Sequence, residues 1–362
     1  MPCKKRKGSA LPGSSNSPVN GKLYTTSDHN RTTMVTDCQD FSEVAELAKK
    51  WKPKRSRSEL LSGSYTRLGL KSKSNRVAQC GTFLSFAHEV DNAGIVSPAG
   101  KLHQANFCRD RLCPMCTWRK SLKLFGQCSQ IMELIGNDYC FVFVTLTVPS
   151  VSGDMLPDTV SRLFRAWNLF SNYKAVKSAT VGYFRALEVT RNNRPYSKSF
   201  GLYHPHFHVV FAVRPSYFKK SAYLHRDEWL ALWQRAYGDD TITQVDVRRA
   251  SDPVSDTAHK AVAEIAKYAV KDTDYIRNSE DETDLVVNDL SRSLRGRRLV
   301  SYGGVFRTAF DKLGLQDIET ADLVHVSDDD INDDLKLLIV RYGWKAGAYV
   351  FESQFMTEKE KK

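Results

Sequence analysis

The sequence has no run of about 18 uncharged apolar residues, which argues against a membrane-spanning helix. The basic opening, Met1 to Asn20, has no apolar core of the kind a secretion signal needs, so classical export is not expected. No GxxxxGK[ST] phosphate loop occurs, so the sequence offers no nucleotide-driven motor. No repeat of about 20 to 50 residues is visible, which excludes a solenoid reading. Acidic residues are scarce at the start: Met1 to Arg76 holds 6 Asp/Glu against 16 Lys/Arg, which is +10 of the total +12.

The rest of the 362-residue chain is nearly neutral, and 41% hydrophobic with 11% aromatic residues is enough apolar material for one large domain or two modest ones. Residues 1 to about 40 are polar without an apolar period and are expected to be disordered. Lys49 to Arg76 carries ten basic residues and a single acid, Glu59. That stretch, with Lys49, Lys50, Lys52, Lys54, Arg55 and Arg57 at its centre, suits a mobile arm that neutralises phosphates, or a solvated linker. The expected organisation is therefore a basic arm over 1–75, a cysteine-rich region with a helix over 76–135, a central body over 136–280, a C-terminal part over 281–355, and a charged tail over 356–362.

Within the body, Cys140–Val148, Tyr183–Thr190, His206–Val213 and Thr241–Val247 read as strands, and Asp158–Val176, Asp227–Tyr237 and Ala258–Tyr275 as helices. The interleaving predicts an α+β fold, an antiparallel or mixed sheet backed by helices. Asp328-Asp-Asp330 with Asp333-Asp334, ahead of the apolar Leu335–Val340, reads as the acidic start of a helix.

Four of the eight cysteines, Cys80, Cys108, Cys113 and Cys116, follow the order Cys-x27-Cys-x4-Cys-x2-Cys. A Cys-Pro-Met-Cys turn aims two thiolates at one centre, and two more complete a tetrahedral structural Zn²⁺ site. His103 can stand in for Cys80 as the fourth ligand, and the bland alternative is ordinary buried cysteine. Cys128 and Cys140 read as core.

The most informative string is Tyr203-His-Pro-His-Phe-His-Val-Val-Phe-Ala-Val213. On a strand, His206 and His208 share one face while Phe207, Val209 and Phe211 share the other. Two neutral imidazoles so placed can hold one divalent ion. Glu188 lies in the apolar Tyr183-Phe-Arg-Ala-Leu-Glu-Val-Thr190, where a carboxylate needs a partner. It is either a third metal ligand or half of an ion pair with Arg185 or Arg191. On the predicted helix, Glu264, Tyr268, Lys271 and Tyr275 follow a helical spacing, and that face is either solvated or equipped for phosphoryl chemistry. His204 falls on the His206 face as an extra ligand or a DNA contact.

Together these strings resemble the HUH endonucleases, and more closely the replication initiators of rolling-circle plasmids that use one Tyr and one Glu. The likeness runs from about Cys80 to about Tyr349. It includes Asn106-Phe-Cys-Arg-Asp-Arg-Leu-Cys-Pro-Met-Cys-Thr-Trp-Arg-Lys120, Pro205-His-Phe-His208, Glu264-Ile-Ala-Lys-Tyr268 and Arg297-Arg-Leu-Val-Ser-Tyr-Gly-Gly304. The first 75 residues match no pattern of this kind. The resemblance implies His206 and His208 as metal ligands, Tyr268 as nucleophile, and Glu264 as the residue that activates water at termination. It further implies Mg²⁺ or Mn²⁺ as the catalytic ion, and double-strand origin DNA and single-stranded DNA as partners. A host helicase and DNA polymerase would complete the machinery in a bacterial cytoplasm, with no membrane. Two other readings are a transposase of the same nuclease type and a non-catalytic zinc-containing regulator that binds nucleic acid.

Overall fold

The computed structural model describes residues 42–219, 223–250, 271–326 and 336–357. The stretch expected to be disordered, the acidic run Asp328–Asp334, and both Glu264 and Tyr268 lie outside the described residues. The chain opens with helices α1 (Ser42–Arg67) and α2 (Lys71–Gln79), strands β1 (Phe83–Val90) and β2 (Lys101–Ala105), and helix α3 (Pro114–Ile135). Next come β3 (Cys140–Thr147), α4 (Leu156–Phe170), α5 (Lys174–Ala179), β4 (Gly182–Arg191) and β5 (Tyr203–Val213). They are followed by α6 (Arg226–Tyr237), β6 (Val245–Ala250), the single turn α7 (Asp272–Tyr275) and α8 (Glu280–Leu294). The chain closes with β7 (Val300–Gly304), α9 (Val305–Lys312), β8 (Lys336–Lys345) and β9 (Ala348–Met356).

This is an α+β architecture with two antiparallel sheets. The larger has the order β6-β3-β5-β4-β7 and the smaller β2-β1-β8-β9. The histidine strand β5 is thus the central strand of the larger sheet. Its two-residue period gives Phe207 and Phe211 to one face, where Phe164 and Trp167 of α4 and Trp229 of α6 pack against them. On the opposite face, the apolar end carries Phe141 and Phe184, which meet Phe306 of α9 and Tyr302 of β7. The other end of that face carries the polar side chains His206 and His208. Gly304 makes the β7–α9 corner possible: its φ is +56°, and a Cβ there would stand 2.2 Å from the Val181 carbonyl oxygen.

Four expectations are corrected. First, residues 49–75 are not a mobile arm. Trp51, Leu61 and Tyr65 of α1 and Val77 of α2 are buried, and the Trp51 ring packs against Phe86, Phe107 and Trp118. Lys49, Lys50 and Lys52 are exposed, whereas Arg55 is buried and donates to the Ala78 carbonyl. Lys54 and Arg57 pair with Asp272 at 3.1 and 2.9 Å.

Second, the helix expected over Ala258–Tyr275 does not pass through Lys271. That residue is extended (φ −78°, ψ 138°), and α7 begins behind it. Tyr275 is fully buried and its hydroxyl donates to the Leu112 carbonyl, so it is a core phenol that does not share a helix face with Lys271. Third, the apolar stretch after the acidic run is strand β8, not a helix. Its partner β1 takes it as a strand, with His88 opposite Leu338 and Phe86 opposite Val340. Fourth, the Asp158–Val176 helix breaks at Ser171–Tyr173 into α4 and α5, and the Thr241–Val247 strand begins only at Val245.

Asp272 fastens α1 to the chain just beyond residue 270. Burial works to raise its carboxyl, but the Arg57 hydrogen bond and the Lys54 charge outweigh it and hold the group below the ordinary range. Asp272→Asn is expected to lower stability by about 1–3 kcal/mol near neutrality, the half-exposed basic partners keeping the figure modest. A carboxyl depressed in the folded state stabilises above its unfolded value of about 3.9 and loses that contribution as pH falls through the folded value. Urea midpoints should therefore differ between wild type and Asp272→Asn at neutral pH and converge below about pH 4.

Candidate metal centre

The antiparallel register of β4 and β5 sets Glu188 directly opposite His206, with Ala186 opposite His208. Because β3 flanks β5 on its other side, Thr145 lies opposite His208. His206 Nε2 and His208 Nε2 are 3.1 Å apart, and Glu188 Oε2 stands 2.9 Å from His208 Nε2 and 3.5 Å from His206 Nε2. Glu188 and His206 are buried and His208 is half-buried, so the cluster opens on the His208 side.

The far nitrogen of each ring is occupied. His206 Nδ1 donates to the His204 carbonyl at 3.0 Å, and His208 Nδ1 meets Thr145 Oγ1 at 3.3 Å. These bonds orient both imidazoles so that their Nε2 lone pairs converge with the carboxylate. For an ion with ligands at 2.0–2.1 Å and right-angle geometry, neighbouring donor atoms stand about 3.0 Å apart. The three observed spacings bracket that value, and a two-imidazole, one-carboxylate set suits a divalent cation with open positions. Burial pushes the Glu188 carboxyl up, but when both imidazoles carry a proton on Nε2 in place of an ion, their hydrogen bonds and charge outweigh it and hold the group well below the carboxylate range.

Glu188 does not pair with either arginine weighed against it. Arg191 binds Glu282 at 2.7 Å. Arg185 projects from the other face of β4, where its guanidinium lies 4.4 to 4.7 Å from the Phe207 and Phe164 ring centroids. Lys271 Nζ is 3.7 Å from Glu188 Oε1, which brings this exposed cation to the cluster. The His204 ring stacks on that of His206, and desolvation, with the His206 charge second, pulls it down to about 4. Two contributors went unnoticed in the sequence. Thr145 is hidden in an ordinary strand pattern, and Asp274 sits in Lys271-Asp-Thr-Asp274, whose acidic spacing was the available signal. Burial pushes the Asp274 carboxyl up to about 6, with Glu188 adding to the rise and Lys271 opposing it.

The four cysteines converge elsewhere. Cys80 caps α2, Cys113 caps α3, Cys116 lies in the first turn of α3, and Cys108 precedes them in the loop after β2. Neighbouring sulfurs are 3.4 to 3.7 Å apart. A tetrahedral ion with Zn–S bonds of about 2.3 Å spaces its sulfurs at about 3.8 Å. Backbone N–H groups of Cys108, Arg109 and Asp110 point at three of the sulfurs, as suits thiolate charge. Desolvation raises the Cys113 thiol, but hydrogen bonds from Cys108, Cys116, Cys80 and Ser58 outweigh it and hold this group well below the usual thiol range. The donor set fits a structural zinc, and His103 is not part of it.

Residues 99–350 match the family model described as replication protein. A Protein rep from Bacillus amyloliquefaciens is 36% identical over 304 residues, covering 77% of this chain and 86% of its own length. One from Lentilactobacillus hilgardii is 37% identical over 280 residues, 75% of this chain and 84% of its own length. Another, from Streptococcus pneumoniae serotype 2, is 33% identical over 291 residues, 79% of this chain and 85% of its own length. No solved structure matches the chain. Among the described residues no helix is long and apolar enough to cross a membrane. The matched span contains the histidine strand, its Glu188 partner and three of the four clustered cysteines, and the chain belongs to the replication protein family, the initiators of rolling-circle plasmid replication.

Proposed function

We propose that the protein nicks and rejoins one strand of a plasmid origin, with Tyr268 as nucleophile and Glu188, His206 and His208 as the ligands of a catalytic Mg²⁺ or Mn²⁺. The observation that carries this reading is the convergence of two Nε2 atoms and one buried carboxylate on a half-open centre. A divalent ion bound there would supply Lewis-acid polarisation of the scissile phosphate. Tyr268 is three residues from Lys271, hence at most about 11 Å along the chain from a residue whose ammonium touches Glu188, which supports its place beside the same phosphate.

In the cleavage step the Tyr268 phenol oxygen bonds to phosphorus as the bond from phosphorus to the 3′ oxygen breaks. The phenol proton is lost and the departing 3′ oxygen gains one, leaving a 5′-phosphotyrosine and a free 3′-hydroxyl that primes synthesis. Lys271 steadies phosphate charge. Joining is the reverse attack by a 3′-hydroxyl, so the phosphodiester energy is retained and no nucleotide is consumed. Glu264 acts later, on a water molecule at termination. The fold suited to this reading is HUH endonuclease-like, with the histidines on the central strand of an antiparallel sheet. The four-cysteine zinc cluster fixes α2, the β2 loop and α3 to one another. Origin DNA, duplex and extruded single strand, is the substrate, and a host helicase and polymerase continue the replication.

With a labelled single-stranded origin oligonucleotide and Mn²⁺, wild type should give a protein–DNA adduct on a denaturing gel. Tyr268→Phe should give none, and His206→Ala/His208→Ala should lower nicking at least 100-fold, the scale of losing transition-state charge stabilisation. Tyr275→Phe, which removes only a buried hydrogen bond worth about 1 kcal/mol, should keep the adduct. Glu264→Gln should form the adduct yet fail to hydrolyse a regenerated origin. A full adduct from Tyr268→Phe would refute the assignment of the nucleophile.

Elemental analysis of reduced, freshly purified protein should find about one zinc per chain. Cys113→Ser should lose that zinc and melt earlier, because sulfurs so close cannot all ionise without a cation. Protein free of zinc with unchanged melting would overturn the structural-zinc assignment.

A further inference from the structure

A cleft of about 840 Å³ opens between the α1–α2 turn, the loop Arg109–Leu112 and the last turn of α8. Lys71, Lys73, Arg76, Arg109, Arg292 and Arg295 line it, drawn from three stretches of chain that are remote in sequence. Its one lining carboxylate among the described residues is already engaged: Asp110 accepts from the Tyr65 hydroxyl at 2.9 Å and from the Leu112 N–H at 3.0 Å. Among the described residues, no carboxylate lies within ion-pair distance of Lys71, Lys73, Arg76 or Arg295. Arg111 is spent on structure, donating to the Leu294 carbonyl at the end of α8.

Local helix preferences do not account for these charges. The first turn of α2 holds Lys71 and Lys73 and no acid, and Leu70 at the N-cap offers no side-chain acceptor. Cations at a helix N-terminus oppose its dipole, so this placement costs α2 stability. Such a local conflict is expected where a surface serves a ligand. Arg109, at φ +60°, is tied to structure instead: its N–H donates to Cys116 Sγ at 3.2 Å and its guanidinium to the Thr320 carbonyl at 2.8 Å.

We propose that this cleft docks the phosphate backbone of duplex DNA next to the nicking centre, an inference that rests on the nicking function proposed above. Among the described residues the lining offers no stacking platform, which selects duplex over single strand. Its one aromatic residue among them, Tyr65, is buried and covered by Lys73 Nζ at 5.1 Å from the ring centroid. Single-strand binders place aromatic faces under the bases, whereas duplex backbone contacts need only charge and position. α8 links cleft and centre. Its Asp289 accepts from the hydroxyl of Tyr203, three residues before His206 on β5, at 2.9 Å. The cleft lining on α8 starts at Asn288, next to Asp289, and runs to Leu294, roughly 9 Å of helix axis. Along β5 the step from Tyr203 to His206 is about 10 Å, so one turn of duplex, roughly 34 Å, can span both places.

The test uses the full chain, a short duplex of arbitrary sequence, and the exposed cations Lys71→Gln/Arg76→Gln/Arg292→Gln/Arg295→Gln. Fluorescence anisotropy across about 50 to 200 mM salt should show a log–log salt dependence shallower by up to about 3.6, or 0.9 for each phosphate no longer neutralised. Single Arg295→Gln, with a change of up to about 0.9, gives the same reading should the fourfold variant melt early. The fourfold variant should still form the Tyr268 adduct on a single-stranded origin oligonucleotide. An unchanged slope, loss of single-strand binding alone, or stronger binding of polyglutamate than of duplex at equal charge concentration would overturn the proposal. If wild type forms no adduct while the slope still changes, the nicking function fails and the docking cleft stands.

Discussion

A carboxylate buried in the middle of a sheet must be compensated, and most of what is distinctive here follows from how Glu188 is. Only 4% of it is exposed, so it depends on the imidazoles of His206 and His208 across the strand boundary. Those rings are held in turn by bonds at their far nitrogens, one to the backbone of β5 and one to Thr145 of β3. Three adjacent strands are therefore committed to one register. A slip by a single residue would send both histidines into the aromatic layer of α4 and α6 and turn Phe207 and Phe211 to the opposite face.

The basic N-terminal region acts through position more than through bulk charge. Arg55 is packed inside, while Lys54 and Arg57 converge on Asp272, next to the lysine that touches Glu188. The same α1 supplies Ser58 to Cys113 at 3.5 Å and Trp51 to the aromatic cluster beside α3. The cysteine cluster, the helix pair and the segment after residue 270 thus share supports, and the cations of α2 emerge from that frame already placed.

The histidine pair was legible because a two-residue period leaves no choice of face. Glu188 was legible because a charge inside an apolar strand calls for a partner. The cysteines were legible through their spacing. What could not be read depends on contacts made far away in sequence. The buried side of α1 is sparse, with Trp51, Leu61 and Tyr65 spread among lysines, arginines and serines, and it becomes a core face only when Phe107 and Trp118 meet it. β8 looked like a helix because an acidic run precedes it, and the pairing with β1 overrides that local signal. The break at Lys271 has no glycine or proline to announce it. It became visible only with Tyr275 drawn into the core beneath Leu112.

The pairing of β1 with β8 also bears on how the chain is made. His88 waits for Leu338, so the smaller sheet lacks its inner neighbour until 250 more residues have been translated. At about 5–20 residues per second that is a delay of roughly 12 to 50 s. During it, β1 has an open edge with only β2 beside it, and the large sheet can close first around β3, β4 and β5. Nascent chains would then pass through a stage with the histidine strand in place and the smaller sheet half built. Slow or interrupted synthesis near the C-terminus would leave the smaller sheet unfinished, and with it the bond from the Tyr349 hydroxyl to the Gly81 carbonyl beside Cys80, while the histidine strand is already paired.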